Sequence, residues 1–365
     1  MPEVLSRRAL NRATLDRQLL LTRAELSAFD AIRHLYGMQA QAPNPPYIGL
    51  WSRLARFGHE DLAGLLHGRR VVRLVLMRST IHLVTADDCL ALRPLLQPML
   101  ARALRGSARG KGLAGLDLDE LAAAGRALVD ETPLTFRELG ERLRERWPER
   151  PAADLVNGVR NTVALVQVPP RGIWGVGGLP AHTSAEAWLG RPLDGRASLE
   201  EMVRRYLAAY GPATVMDIQQ WSGLTRLGEV VGGMRLPRFV TEEGAELVDL
   251  PEASRPGPDT PAPVRYLSEF DNMLLSFGER TRTRIMADEY RARVFTVNGI
   301  IKATVLVDGF VRGLWKVVRK RDEAVLEVEL FQPVSALERA ELEREGMRML
   351  DFAAAPAKIR DIRFS

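Results

Sequence analysis

Two glutamines separated by a single alanine, Gln39-Ala40-Gln41, lie between a glycine and a proline cluster in the stretch Leu35-Tyr36-Gly37-Met38-Gln39-Ala40-Gln41-Ala42-Pro43-Asn44-Pro45-Pro46-Tyr47. The prolines exclude helix and favour extended backbone. In an extended chain, residues i and i+2 project to the same side. Two carboxamides on one side of a stiff segment can bind and orient one small polar species, such as a water or a nucleobase edge. A carboxamide does not titrate near neutral pH, so the chemistry on offer is positioning and not general acid–base transfer. Glutamines beside a helix end are also commonly solvated or bonded to local backbone, and spacing alone leaves that reading open.

Other polar clusters are candidates of the same two-sided kind. Arg78, Ser79, Thr80 and His82 carry the hydroxyl and guanidinium types that meet phosphate; Thr80 and His82 satisfying hydrogen bonds on a sheet face is an equally open reading. Arg280, Arg282 and Arg284 alternate, which in a strand puts all three on one face, either solvated or turned toward a polyanion. Asn298-Gly299 reads as a hairpin tip, an ordinary turn or a wedge into a duplex. Lys302, just beyond it, is the lysine of that region that can form a Schiff base, but nothing in the sequence marks it as desolvated, so no covalent step through it is expected. Five scattered histidines without HxxxH or HExxH spacing, and one cysteine, Cys89, leave a metal mechanism unsupported and predict no internal disulfide and no cofactor.

Helices and short strand pairs must position these groups. Residues 5–36 read as two helices, the second opened by a Thr22/Glu25 capping box and closed with Gly37 as the left-handed cap. Helical spacing resumes over 48–57 and 59–67, strands follow at 71–77 and 80–84, and Thr85 caps another helix. The outline recurs with helices at 118–130, from 132 and at 154–165, then wing strands at 166–168 and 172–176. It recurs again with a helix at 199–210, a second after Gly211-Pro212-Ala213-Thr214, and a hairpin at 239–241 and 245–248. The repeat predicts an α+β chain of three tandem winged-helix (helix-turn-helix plus wing) units over 1–115, 116–195 and 196–255. A proline-dense linker at 251–263 precedes an antiparallel β-rich region, 264–365. Its strands are expected at 294–297, 300–307, 310–318 and 324–331, with Asn298-Gly299 and Asp308-Gly309 as type I′ turns and a terminal helix at 335–352. Trp51, Trp174, Trp221 and Trp315 are assigned to the core.

Composition bounds the class. A chain of 365 residues with 46% hydrophobic and 27% charged residues is that of a soluble protein of two or three domains. No apolar run is long enough for a membrane span, and no secretory signal is visible, so a cytoplasmic location is expected. The net charge of +5 is too modest to establish a polyanion partner. Only five of the 51 bases are lysine, a bias that genomic base composition explains, although arginine also suits phosphate forks. Between 265 and 320 there are 11 bases against 6 acids, a local basic excess.

Met38-Gln39-Ala40-Gln41-Ala42-Pro43 with Tyr47-Ile48-Gly49-Leu50-Trp51 resembles the signature of the winged-helix DNA glycosylases of the AlkZ and YcaQ type. Four further motifs fit the same family. They are Leu76-Met77-Arg78-Ser79-Thr80-Ile81-His82-Leu83, Gly211-Pro212-Ala213-Thr214 with Trp221-Ser222-Gly223-Leu224, Tyr266-Leu267-Ser268-Glu269-Phe270-Asp271-Asn272-Met273-Leu274-Leu275, and Asn298-Gly299 with Ala303-Thr304-Val305-Leu306-Val307-Asp308-Gly309.

The resemblance implies a C-shaped molecule acting on double-stranded DNA that carries alkylated purines, as a monomer that requires no protein partner. One branch of the family has Gln-x-Gln at the catalytic position and another has Gln-x-Asp. Gln41 places this chain with the Gln-x-Gln branch, which implies removal of bulky N7-alkylguanine, including interstrand cross-links, in self-resistance to a DNA-alkylating natural product. On that reading Gln39 and Gln41 are catalytic, and Arg78, Ser79, Thr80, His82, Arg282, Arg284, Asn298 and Lys302 are candidates for contact with DNA. A non-enzymatic winged-helix regulator, a general repair glycosylase for small N7-methyl adducts and a protein that only sequesters the alkylating agent are the competing readings.

Overall fold

The computed structural model describes residues 2–365 as a mixed α+β chain with three sheets. One order of elements occurs three times: helix, short strand, helix, helix, strand, strand. It first runs through Ala28–His34, Met38–Gln39, Pro45–Arg53, His59–His67, Val71–Val75 and Ile81–Thr85. It returns as Leu118–Glu131, Leu134–Thr135, Phe136–Arg146, Ala152–Thr162, Leu165–Gln167 and Ala181–Ser184. The third pass is Leu199–Tyr210, Val215–Ser222, Leu227–Gly233, Arg238–Thr241 and Glu246–Val248, with an isolated bridge from Ala213 to Val248 in place of the short strand. Each time the last strand lies between the short strand and the middle one.

Local sequence explains why the elements start where they do. Thr135 and Thr214 each accept from the backbone N–H three residues on, while Glu138 and Asp217 bond back to the cap, so two repeats enter their second helix by a reciprocal capping box. The cap before Ala28–His34 is Ser27, not Thr22. The segment expected to open that helix is instead paired with the end of Pro45–Arg53, Ala24 N–H donating to the Arg53 carbonyl at 2.8 Å. Helix Ala28–His34 ends in a Schellman turn, in which Gly37 N–H donates to Ile32 at 3.2 Å and Tyr36 N–H to Arg33 at 3.2 Å. Tyr36, at φ +54°, therefore occupies the left-handed cap position assigned to Gly37. Gly37 follows at φ +97°, where an added Cβ would lie 2.7 Å from Val84.

Two strand assignments fail for identifiable reasons. Residues 172–176 form a loop, and the second wing strand is Ala181–Ser184. That loop is claimed by the first repeat: the Tyr47 hydroxyl donates to the Gly172 carbonyl at 3.1 Å and accepts from Trp174 N–H at 3.2 Å. Residues 291–294 are a helical turn, Arg291–Val294, followed by one bridge from Phe295 to Ile301, and the strand starts only at Thr304. Gly299 is left-handed (φ +75°) without Asn298, so this is not a type I′ turn; Asp308 (φ +49°) and Gly309 (φ +79°) do form the left-handed pair that such a turn requires. The C-terminal sheet has the order Arg265–Leu267, Thr304–Val307, Phe310–Lys320, Glu323–Leu330, Ile359–Phe364. Its last strand runs parallel to its neighbour, so the sheet is mixed and not wholly antiparallel.

The repeats are not separate beads. Val71–Val75 pairs with Leu165–Gln167, fusing the sheets of the first two repeats into one of six strands. Glu3–Leu5 pairs in parallel with Arg238–Thr241, so the N-terminal strand belongs to the sheet of the third repeat. Trp51, Trp221 and Trp315 are buried in the core, and Trp174 packs half-buried between Tyr47, His59 and Phe352. Among the described residues no helix is long and apolar enough to cross a membrane.

Candidate active site

Strand Met38–Gln39 lies antiparallel to Ile81–Thr85, with Gln39 opposite His82. The ladder extends one residue further, Ala40 N–H donating to the Ile81 carbonyl at 2.8 Å. The backbone then leaves the sheet and a side chain takes over its bonding: Gln41 Oε1 accepts from Ile81 N–H at 3.2 Å. Gln39 Oε1 accepts from Arg78 Nη2 at 2.8 Å. Both partners can only donate, so chemistry fixes which end of each carboxamide is oxygen. Each amide keeps one unused oxygen lone pair and its NH₂ group. Gln39 is buried, 7% exposed, and Gln41 is exposed, so the pair runs from interior to surface.

Two arginines hold this segment from behind. Arg73 Nη2 donates to the Ala40 carbonyl, between the glutamines, at 2.7 Å, and its Nε donates to Gln167 Oε1 at 3.2 Å. Arg78 Nη1 donates to the Trp221 carbonyl at 2.7 Å, tying the site to the third repeat. Burial lowers both guanidinium pKa values to about 10, which leaves both cationic at neutral pH.

Arg78 reaches Gln39 because the backbone turns sharply between the two strands. Arg78 (φ +55°) and Ser79 (φ +58°) are consecutive left-handed residues without glycine, a conformation costing about 1–2 kcal/mol each. Tertiary bonds hold it: Leu76 N–H donates to the Thr80 carbonyl at 3.0 Å, and Arg160 Nη2, from the second repeat, donates to the Ser79 carbonyl at 3.2 Å.

His82 Nδ1 donates to the Thr80 carbonyl at 3.0 Å, which leaves Nε2 as a bare acceptor 3.5 Å from Arg78 Nη2. Burial, with the Arg78 charge second, pushes its pKa down to about 3. The native state therefore binds fewer protons than the unfolded chain below the ordinary histidine value of about 6.5. Stability from this group is complete above that pH and is lost as pH falls toward 3, at about 1.4 kcal/mol per pH unit. Urea unfolding at pH 5 and pH 7 is expected to show a lower midpoint at pH 5, with a smaller difference in His82→Gln. An equal difference in both proteins would place the proton uptake elsewhere.

The structure thus brings Gln39, Gln41, Arg78, Ser79, Thr80 and His82 together, and commits Arg282 and Arg284 to bonds elsewhere. Glu279–Arg282 is a helical turn, so Arg280, Arg282 and Arg284 do not form one strand face. Arg282 and Arg284 are buried and donate to the carbonyls of Phe277 (2.9 Å) and Pro212 (2.7 Å), commitments that remove them from a phosphate-binding surface. Asn298 is exposed at its turn, between the exposed Val297 and Ile300. Lys302 is exposed and borders a 450 Å³ cavity with Glu269, Trp315 and Lys316.

Arg160 and Trp221 escape sequence reasoning as site residues because their roles exist only through contacts between repeats, and Arg73 because its bond to the Ala40 carbonyl joins residues 33 positions apart in the chain. Glu269 is a fourth: it borders a 380 Å³ cavity with Asn44 and Pro45, and desolvation raises its carboxyl pKa. Its only sequence signal is membership of the Tyr266–Leu275 motif.

Two oriented carboxamides can hold a small polar species in place but cannot exchange a proton near neutral pH. A family model described as DNA glycosylase AlkZ-like matches residues 32–352, and the chain belongs to that DNA glycosylase family. An interstrand DNA cross-link repair glycosylase of Streptomyces sahachiroi is 25% identical over 331 residues, which cover 83% of this chain and 86% of that protein. The solved structure of the Streptomyces sahachiroi DNA glycosylase AlkZ covers 99% of this chain and 100% of its own, with a TM-score of 0.83 at 24% identity.

Proposed function

We propose that this DNA glycosylase hydrolyses the N-glycosidic bond of N7-alkylated guanine, including bulky adducts and interstrand cross-links, and serves in self-resistance to a DNA-alkylating natural product. The observation that carries the reading is the pinned pair Gln39 and Gln41. Guanine alkylated at N7 bears a fixed positive charge and departs as a neutral base, so protonating it is unnecessary. What remains is to hold a water near C1′ and to favour an oxocarbenium-like sugar. The free lone pair on each Oε1 can accept from that water or face the developing cation, and the carboxamide N–H groups can fix the water or the base edge. Orientation of this kind is worth effective molarities on the order of 10⁵ M or more.

On this reading the threefold repeat is a tandem array of winged helices over 1–115, 116–195 and 196–255. The 264–365 region closes one side of a C-shaped cytoplasmic monomer that needs no protein partner. The chain releases the base without a lyase step. The cross-link specificity leans on the name of the relative that is 25% identical.

Two duplexes test it, one with a single N7-methylguanine and one with an N7-linked cross-link. The proposal expects free N7-methylguanine and an alkali-labile abasic site from the first, and from the second separable strands, one carrying an abasic site and the other the tethered base, with rates unchanged between pH 6 and pH 9. Release from the methyl adduct alone would leave the general repair reading. Binding without abasic sites would leave a regulator or a sequestering protein.

A further inference from the structure

Between Asp88 and Asp117 the chain carries no carboxylate and five bases: Arg93, Arg102, Arg105, Arg109 and Lys111. Arg93 is buried and donates to the Asn161 carbonyl at 3.1 Å. The other four are exposed on the last turns of Ala86–Gly106 and on the short helix Ala108–Lys111. None of these four forms an ion pair among the described residues, although they lie within one short stretch; some exposed arginines elsewhere are paired, as in Arg137–Glu141 and Arg339–Glu343, and others, such as Arg144 and Arg280, are not. Like charges gathered in one patch repel one another, and the carboxylate found against it, that of Asp154, lies at the Gly112 end beside Lys111.

The patch borders the active-site turn. Arg102 Nη2 donates to the Gly223 carbonyl at 2.6 Å, and a Cβ at Gly223 would lie 3.4 Å from the Arg78 backbone nitrogen. On its other side Asn157 Nδ2 donates to Ser107 Oγ at 3.5 Å. One helical turn along the same helix, Arg160 bonds to Ser79. Cationic surface therefore runs from Lys111 to the turn that holds Gln39.

We propose that Arg102, Arg105, Arg109, Lys111 and Arg160 form a track for the phosphate backbone of double-stranded DNA, leading to the lesion held at Gln39 and Gln41. The placement of the lesion rests on the proposed function, but the phosphate contact does not depend on which base is removed. Such a track binds without regard to sequence, and each phosphate it neutralises releases counterions.

The test is the triple variant Arg105→Ala/Arg109→Ala/Lys111→Ala, which leaves the structural contacts of Arg102 and Arg160 in place. Its affinity for an undamaged duplex is measured across a salt titration. Three lost phosphate contacts should weaken binding at low salt at least about tenfold and reduce the slope of log K against log[salt] by about 2–3. Single-turnover base release at saturating protein should stay within about twofold of the parent, since the chemistry is untouched. An unchanged slope would overturn the assignment. So would an equal loss in Lys320→Ala/Arg321→Ala, which removes two exposed charges at the turn between Phe310–Lys320 and Glu323–Leu330. If the parent itself released no N7-alkylguanine, the proposed function would fall while the salt slopes still decided the track.

Discussion

Alanine at positions 39 and 41 together is expected to slow single-turnover release of N7-methylguanine by about 10³-fold, since removing one preorganised polar contact to a reacting centre typically costs 10²–10³. The two losses are not expected to multiply. Both side chains bond to groups on one turn, Arg78 Nη2 and Ile81 N–H, and residues sharing a network are not additive. Gln41→Ala is the cleaner single change, because Gln41 is exposed and its loss returns Ile81 N–H to water. Gln39→Ala also leaves the Arg78 guanidinium without one acceptor, so its effect mixes lost chemistry with a loosened turn. An unfolding curve matching the parent separates the two. Release at the parent rate by the folded double variant would end the catalytic assignment.

The largest stability effect is expected at Asp271→Ala. Arg53 and Asp271 form a bidentate pair, with Nη1 to Oδ2 at 2.9 Å and Nη2 to Oδ1 at 2.7 Å, and neither side chain is exposed to solvent. Arg53 ends the helix that follows the glutamine segment, and Asp271 caps the short helix Asn272–Leu275. Removing the carboxylate leaves a buried guanidinium with only the Gly49 carbonyl and Gln18 Oε1 as acceptors. Stranding one member of a buried pair costs about 3–5 kcal/mol. At about 2 °C per kcal/mol for a large domain, the thermal transition should fall by roughly 6–10 °C. Glu25→Ala, which breaks the exposed pair with Arg56, should leave the transition where it is. Equal shifts in the two variants would show that burial does not set the strength of the Arg53–Asp271 pair.

The parts of the fold legible in the sequence were those encoded locally. Thr85 and Thr214 announce their helices because the cap bond is made within three residues, whereas the helix expected from 132 opens only at Phe136, after Leu134–Thr135 has paired as a strand and Thr135 caps it. The Asp308-Gly309 turn is legible for the same reason. The Gln39–Gln41 segment and the 78–82 turn could be picked out, but their contact could not, since it depends on an antiparallel register and on two left-handed residues that no local preference favours. Arg282 and Arg284 misled because a guanidinium reads as surface charge, while here each is satisfied by interior carbonyls. Residues 172–176 misled in the opposite way: an apolar stretch suited to a strand is held as a loop by Tyr47 and Asn44, more than 120 positions earlier.

The pairing of Arg73 with Gln167 and of Leu74 with Val166 has a mechanical corollary. It consumes a sheet edge on each of two repeats, so neither can recruit a foreign strand at that seam. The two repeats cannot part like jaws to admit a wide substrate without rupturing main-chain bonds.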